Sequence, residues 1–174
     1  MERYLESDKI ANNFNSARPR LFGDEIWKFL RALRKLEYYS NVNCFFGRYL
    51  RIYWHIKYHF WSLILDYSIP INVIDEGLRL FHRGTIIVSR FAKIGKFASI
   101  HACVNIGQNK FRDETPIIGD YCMISPGAKL FGKITIGSNV TIGTNSVVNK
   151  SFTENNITIA GIPAKIIRTK QVVI

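Results

Sequence analysis

Two of the four histidines sit where an imidazole could handle protons. His82 lies six residues before Val88, in a stretch where every sixth residue is otherwise aliphatic. Imidazole titrates near neutrality and can act as a general base toward a hydroxyl. A buried histidine satisfied by backbone is the ordinary alternative, but an imidazole in an aliphatic column needs a reason. His101 follows Ile100, one turn of the same repeat beyond the His82 level. It reads either as a second imidazole for the site or as a solvent-facing corner histidine, and both remain open. His55 and His59 have the i,i+4 spacing of metal ligands but no third partner in sequence. Cys44, Cys103 and Cys122 form no CxxC pair. No metal is expected, and the thiols read as structural ones in a reducing compartment.

The histidines must be positioned by a repeat of period six. Val88, Ile94, Ile100, Ile106, Ile118, Ile124, Leu130, Ile136, Ile142 and Val148 form one column, broken only at Arg112. A second column of small or apolar residues runs through Ile74, Leu80, Ile86, Ala92, Ala98, Val104, Cys122, Ala128, Ile134, Val140, Ser146 and Phe152. Both columns should face inward. Gly95, Gly107, Gly119, Gly137 and Gly143 follow the aliphatic residue, where a corner brings backbones close. Short strands that turn every six residues cannot bury a core alone, so they must stack into a solenoid with rungs about 4.8 Å apart.

Before residue 66 the period is that of a helix. Ile26, Phe29, Leu30 and Leu33 make an apolar stripe from Glu25 to Leu36, with Asp24 as the expected N-cap. A second helix is expected from Gly47 to Leu65, where Tyr49, Tyr53, Trp54, Tyr58, Phe60 and Trp61 mix with Arg48, Arg51 and Lys57. That mixture fits either a cap on the solenoid or peripheral membrane contact at headgroup level.

The net charge of +11 is spread along the chain. Residues 1–66 hold eleven basic and seven acidic side chains, and neither half has a run of five like charges, which argues against a nucleic-acid module. A diffuse positive field still attracts a polyanion such as coenzyme A, an anionic glycan or a lipid-phosphate surface. No apolar run approaches the roughly 18 residues of a membrane span, and the first residues lack a secretory leader. A cytoplasmic place is therefore expected, with the inner membrane face as the site of any peripheral contact.

With these repeats and the closing Ala160-Gly161-Ile162-Pro163-Ala164-Lys165, the chain resembles the hexapeptide-repeat acyltransferases, in particular their serine-acetyltransferase-like branch and its polysaccharide-modifying relatives. The resemblance covers residues 66–174. It implies a mainly β fold: a left-handed parallel β-helix over 67–174, carrying an N-terminal α-helical region over 1–66. That hand departs from the usual right-handed crossover. An inserted loop is expected at 108–117 and a C-terminal tail from about 160. The resemblance further implies a homotrimer with sites between neighbours, acetyl-CoA as co-substrate, and direct transfer to an acceptor hydroxyl with His82 as general base.

Three positions depart from the serine enzymes. Phe81 replaces an Asp beside the catalytic histidine, and Thr115 replaces a His before Pro116. Tyr67 stands where a carboxylate orients the base, with Asp66 one residue away as its substitute. Phe81 and Thr115, as acceptor-binding residues, cannot pair with the charges of free serine, whereas an aromatic face suits a pyranose. The sequence reading therefore favours a sugar hydroxyl in surface or capsular polysaccharide, with serine O-acetylation as the alternative and a non-catalytic scaffold as a third reading. For coenzyme A, the resemblance points to Gly107, Ser125, Pro126, Gly127, Gly143 and Thr144 as corners along the pantetheine arm. Thr141, Lys165 and Arg168 are its candidates for the adenosine-phosphate end. The corners are also small for steric reasons alone, and that reading stays open.

Overall fold

The computed structural model describes residues 1–42, 46–111 and 114–170. Cys44, Arg112 and Asp113 lie outside the described residues. Three helices come first, α1 (Glu2–Ala11), α2 (Glu25–Asn41) and α3 (Gly47–Leu65). The strands are β1 (Tyr67–Ser68), β2 (Arg79–Leu80), β3 (Ile86–Val88), β4 (Lys93–Ile94), β5 (Ser99–Ile100), β6 (Val104–Gly107) and β7 (Ile117–Ile118). They continue as β8 (Met123–Ile124), β9 (Lys129–Phe131), β10 (Thr135–Ile136), β11 (Thr141–Ile142), β12 (Val147–Val148), β13 (Ile157–Gly161) and β14 (Ala164–Thr169).

The strands distribute over three faces of a prism. The first face stacks β1, β3, β6, β9 and β12; the second stacks β4, β7 and β10; the third stacks β2, β5, β8, β11 and β13, with β14 folded back antiparallel at its edge. All other pairs are parallel. The coil is the left-handed β-helix.

Both hexapeptide columns are buried from Ile86 onward, so the alternation along each short strand fills the prism with Ile, Val, Leu and Ala. The rung-on-rung approach also fixes residue size at the corners. Gly127 has φ +74°, and a Cβ there would lie 1.9 Å from Asn145 Oδ1 one rung above, so only glycine fits.

Ahead of Ile86 the register differs from the six-residue expectation. Leu80 pairs with Ile100 and Ile74 with Ile94, which places both in the first column rather than the second. Leu80 and Val88 are thus separated by eight residues instead of six. The two extra residues are absorbed in a bend at 82–84, and His82 lies exposed in it, not in the buried column.

The helical region also differs in detail. α2 runs five residues past Leu36, and α1 was not visible as a separate element. Asp24 precedes α2 in the left-handed region and makes no side-chain cap; its carboxylate instead holds Arg20 at 2.9 Å. A buried network joins the helices to the first rung. Arg34 Nε donates to Asp8 at 2.8 Å and its Nη1 to Glu37 at 2.9 Å, while further N–H groups reach the carbonyls of Ile74 and Asp75. Asp8 also accepts from the backbone N–H groups of Gly77 and Leu78. Burial alone would lower the Arg34 pKa, but Asp8 and Glu37 together raise it.

Candidate active site

One edge of the prism, where the third face turns into the first, gathers most of the chemistry. At this edge Phe81, His101, Ser125 and Gly143 are each the first residue past a third-face strand. Each donates its N–H to the rung above: Phe81 to Ile100 O, His101 to Ile124 O, Ser125 to Ile142 O and Gly143 to Ile159 O. Gly127 N–H reaches Ala102 O and Asn145 N–H reaches Pro126 O, each on the rung below. The residues form a single file, with His82 at its lower end and the small corners Ser125-Pro126-Gly127 and Gly143-Thr144 above.

At the lower end, Phe81 and His101 stack with ring centroids 3.8 Å apart and planes at 9°. The Arg79 guanidinium lies over the same Phe81 ring at 4.4 Å. Because His101 already covers one face at van der Waals distance, the guanidinium must occupy the other. His101 therefore stands over Phe81 rather than over His82, which is one residue further along. The imidazoles are close enough for their charges to interact. Burial first, then the charges of His82 and Arg79, lower the His101 pKa below the ordinary histidine range.

The bend carrying His82 is held from behind. The Tyr67 hydroxyl donates to the His82 carbonyl at 2.8 Å, and Gly84 N–H donates to Leu65 O. Tyr67 is buried, which raises its phenol well above the usual range and keeps it a donor. Asp66, at the C-terminus of α3, accepts a short hydrogen bond from the Thr85 hydroxyl. Among the described residues, no hydrogen bond joins Asp66 to either imidazole, so the bend is fixed through backbone contacts instead.

Other candidates lie elsewhere. Thr115 is buried at the edge between the first and second faces, and its hydroxyl donates to Phe91 O at 3.0 Å. Gly107 is at that same edge, where a Cβ would meet the Phe131 ring at 2.6 Å. A single chain does not bring Thr115 or Gly107 to His82. Thr141 faces outward on the third face, and Lys165 and Arg168 are exposed on β14 at the upper end of that face. Cys122 is buried and Cys103 exposed at the edge beside His101. A cavity of about 510 Å³, lined by Tyr4, Arg34, Asp75 and Lys93 among others, opens between the helices and the first rung, away from both imidazoles.

Arg79 was missed in the sequence. Its signal is the outward column Arg79, Ser99, Met123, Thr141 and Thr158, in which it alone is charged. That column becomes readable only once Leu80 is paired with Ile100.

Known proteins resemble both the repeat and the whole chain. The bacterial transferase hexapeptide (six repeats) model matches residues 115–150. The serine acetyltransferase of Buchnera aphidicola is 30% identical over 152 residues, covering 80% of this chain and 55% of that protein. The crystal structure of Neisseria gonorrhoeae serine acetyltransferase superposes with a TM-score of 0.73 at 25% identity, over 98% of this chain and 67% of that one. A Brucella abortus serine acetyltransferase in complex with coenzyme A gives a TM-score of 0.70 at 23% identity, over 98% of this chain and 68% of that one. The chain spans about half the length of the curated relatives it matches.

Proposed function

We propose that the chain is a hexapeptide-repeat acyltransferase, like the serine acetyltransferases it resembles, and that it transfers an acetyl group from acetyl-CoA to a hydroxyl. The observation that carries this reading is the single edge on which His82 and His101 continue into the small corners at Ser125–Gly127 and Gly143–Thr144. An extended pantetheine arm laid along those corners would deliver its thioester to the imidazoles. Residues of this chain suit coenzyme A in other ways: Lys165 and Arg168 are exposed cations toward the upper end of the same prism, where a phosphate-bearing group would lie.

In this mechanism the exposed His82 imidazole takes the acceptor's hydroxyl proton as its oxygen attacks the thioester carbonyl. The tetrahedral adduct then collapses, the C–S bond breaks, and the imidazolium returns the proton to the departing thiolate. Burial and the charges of His82 and Arg79 lower the His101 pKa, which favours its neutral form beside the reacting groups.

Serine is the acceptor best supported by the comparisons. Arg79 strengthens that reading, because its guanidinium makes no ion pair among the described residues and lies on the Phe81 ring across from His101, where a carboxylate could pair with it. A sugar hydroxyl is the second reading. Phe81 and Thr115 favour it, since neither supplies a negative charge for serine's ammonium and Asp66 is engaged by Thr85. Phe81 offers no free face to a pyranose, contrary to the sequence expectation, because both sides of its ring are covered.

A homotrimer completes the proposal. Thr115 and Gly107 lie on a different edge from His82, and a neighbouring copy is the natural way to bring that edge to the imidazoles. Light scattering should give about three times 20.1 kDa. The deciding assay is coenzyme A release with serine, free sugars, nucleotide sugars and oligosaccharides side by side. Fastest turnover on serine supports the first reading and turnover on carbohydrate alone the second, while no release with any acceptor overturns the enzyme assignment.

A further inference from the structure

Helix α3 has two apolar faces, and only one is packed. Tyr58, Trp61 and Leu65 pack on the core, with the half-buried Leu50 and Trp54 on the same side of the helix; Tyr58 stacks obliquely on Phe29 and donates to Ile69 O. At 3.6 residues per turn the opposite side is a second stripe of Tyr49, Ile52, Tyr53, Ile56, Phe60 and Leu63. These side chains are between 49% and 73% exposed. A solvent-facing helix surface is ordinarily polar, so this stripe is unexplained by the fold.

Its borders carry one sign of charge. Arg48, Arg51, His55 and His59 flank one side and Lys57 the other, and residues 47–65 contain no Asp or Glu. Arg48, Arg51 and Lys57 pair with no carboxylate among the described residues. A second copy presenting the same stripe would bring these cations against their own kind, which like-charge repulsion opposes. A bilayer carrying anionic headgroups complements both features: apolar side chains enter the acyl boundary while guanidinium and ammonium groups meet phosphates. No helix among the described residues is long and apolar enough to cross a membrane, so α3 would lie in the interface plane.

We propose that the outward stripe of α3, with its cationic borders, docks the protein on the surface of an anionic lipid bilayer. The C-terminus of α3 is tied to the bend that carries His82, since Gly84 N–H donates to Leu65 O.

The test is cosedimentation of the full chain with phosphatidylcholine vesicles, with and without phosphatidylglycerol. Binding is expected only to the anionic vesicles and should weaken as salt is raised. Ile56→Glu, at the centre of the stripe, should lower it at least about tenfold while the solution mass and coenzyme A release stay unchanged. If that variant fails to fold, the exposed pair Arg48→Glu and Arg51→Glu should give the same loss. The proposal is overturned if wild type ignores anionic vesicles or if these variants bind as wild type does. It is equally overturned if Ile56→Glu lowers the solution mass and wild type binds no lipid, because the stripe is then an interface between copies.

Discussion

The Phe81 ring lies flat against the His101 imidazole, with centroids 3.8 Å apart, and Arg79 closes the stack from the other side. Two consequences follow from this sandwich. The His101 ring is fixed in orientation next to the exposed His82, and the cation two residues before Phe81 is held on the far side of the same ring. Phe81 thus offers neither of its own faces but orders its two neighbours.

Arg79→Gln should raise the His101 pKa toward the ordinary histidine value, because it removes one of the charges that lower it. Proton NMR titration of the imidazole reads this directly, and an unchanged His101 curve would contradict the stack. The sign for stability follows from the same shift. With a folded value below the unfolded one, stability linked to neutral His101 is complete above the ordinary histidine range and is lost as pH falls through the lowered folded value.

Thr144→Trp should raise the KM for acetyl-CoA by at least about tenfold with little change in Tm, since Thr144 is exposed on the edge assigned to the pantetheine arm. Steady-state kinetics at saturating acceptor provide the check. An unaltered KM would move the donor to another edge of the prism.

Arg34→Leu should destabilise the fold by about 3–5 kcal/mol, the range for leaving a buried partner charge uncompensated. Asp8 and Glu37 would lose their shared cation, and the carbonyls of Ile74 and Asp75 would lose a donor. Urea unfolding measures the loss, and a change under about 1 kcal/mol would mean that the helices are held by apolar packing alone.

The prism was legible because its core obeys a period that no local interaction can mask: Val88 to Val148 are buried where the step of six placed them. The bend at His82 was not, because a two-residue excursion leaves no mark in composition, and it shifted Ile74 and Leu80 by a column. The site was half legible. His82 was singled out by the resemblance and by a place in the aliphatic column that the bend removes, His101 by its place after Ile100, while Arg79 was hidden by the misplaced register. Asp8 and Arg34 gave no sequence signal, since their meaning lies in a contact between residues 26 positions apart. Asp24 looked like a cap by type, but its carboxylate found Arg20 first.

The most direct test of the account is coenzyme A release by His82→Ala with the best acceptor from the panel. Because His82 is exposed and its backbone carbonyl alone is used by Tyr67, the variant should fold and keep its affinity for acetyl-CoA within a few fold. Turnover should fall by at least about a hundredfold, the usual loss when a general base is removed. A folded variant that releases coenzyme A at near the wild-type rate would contradict the assignment of His82 as the base.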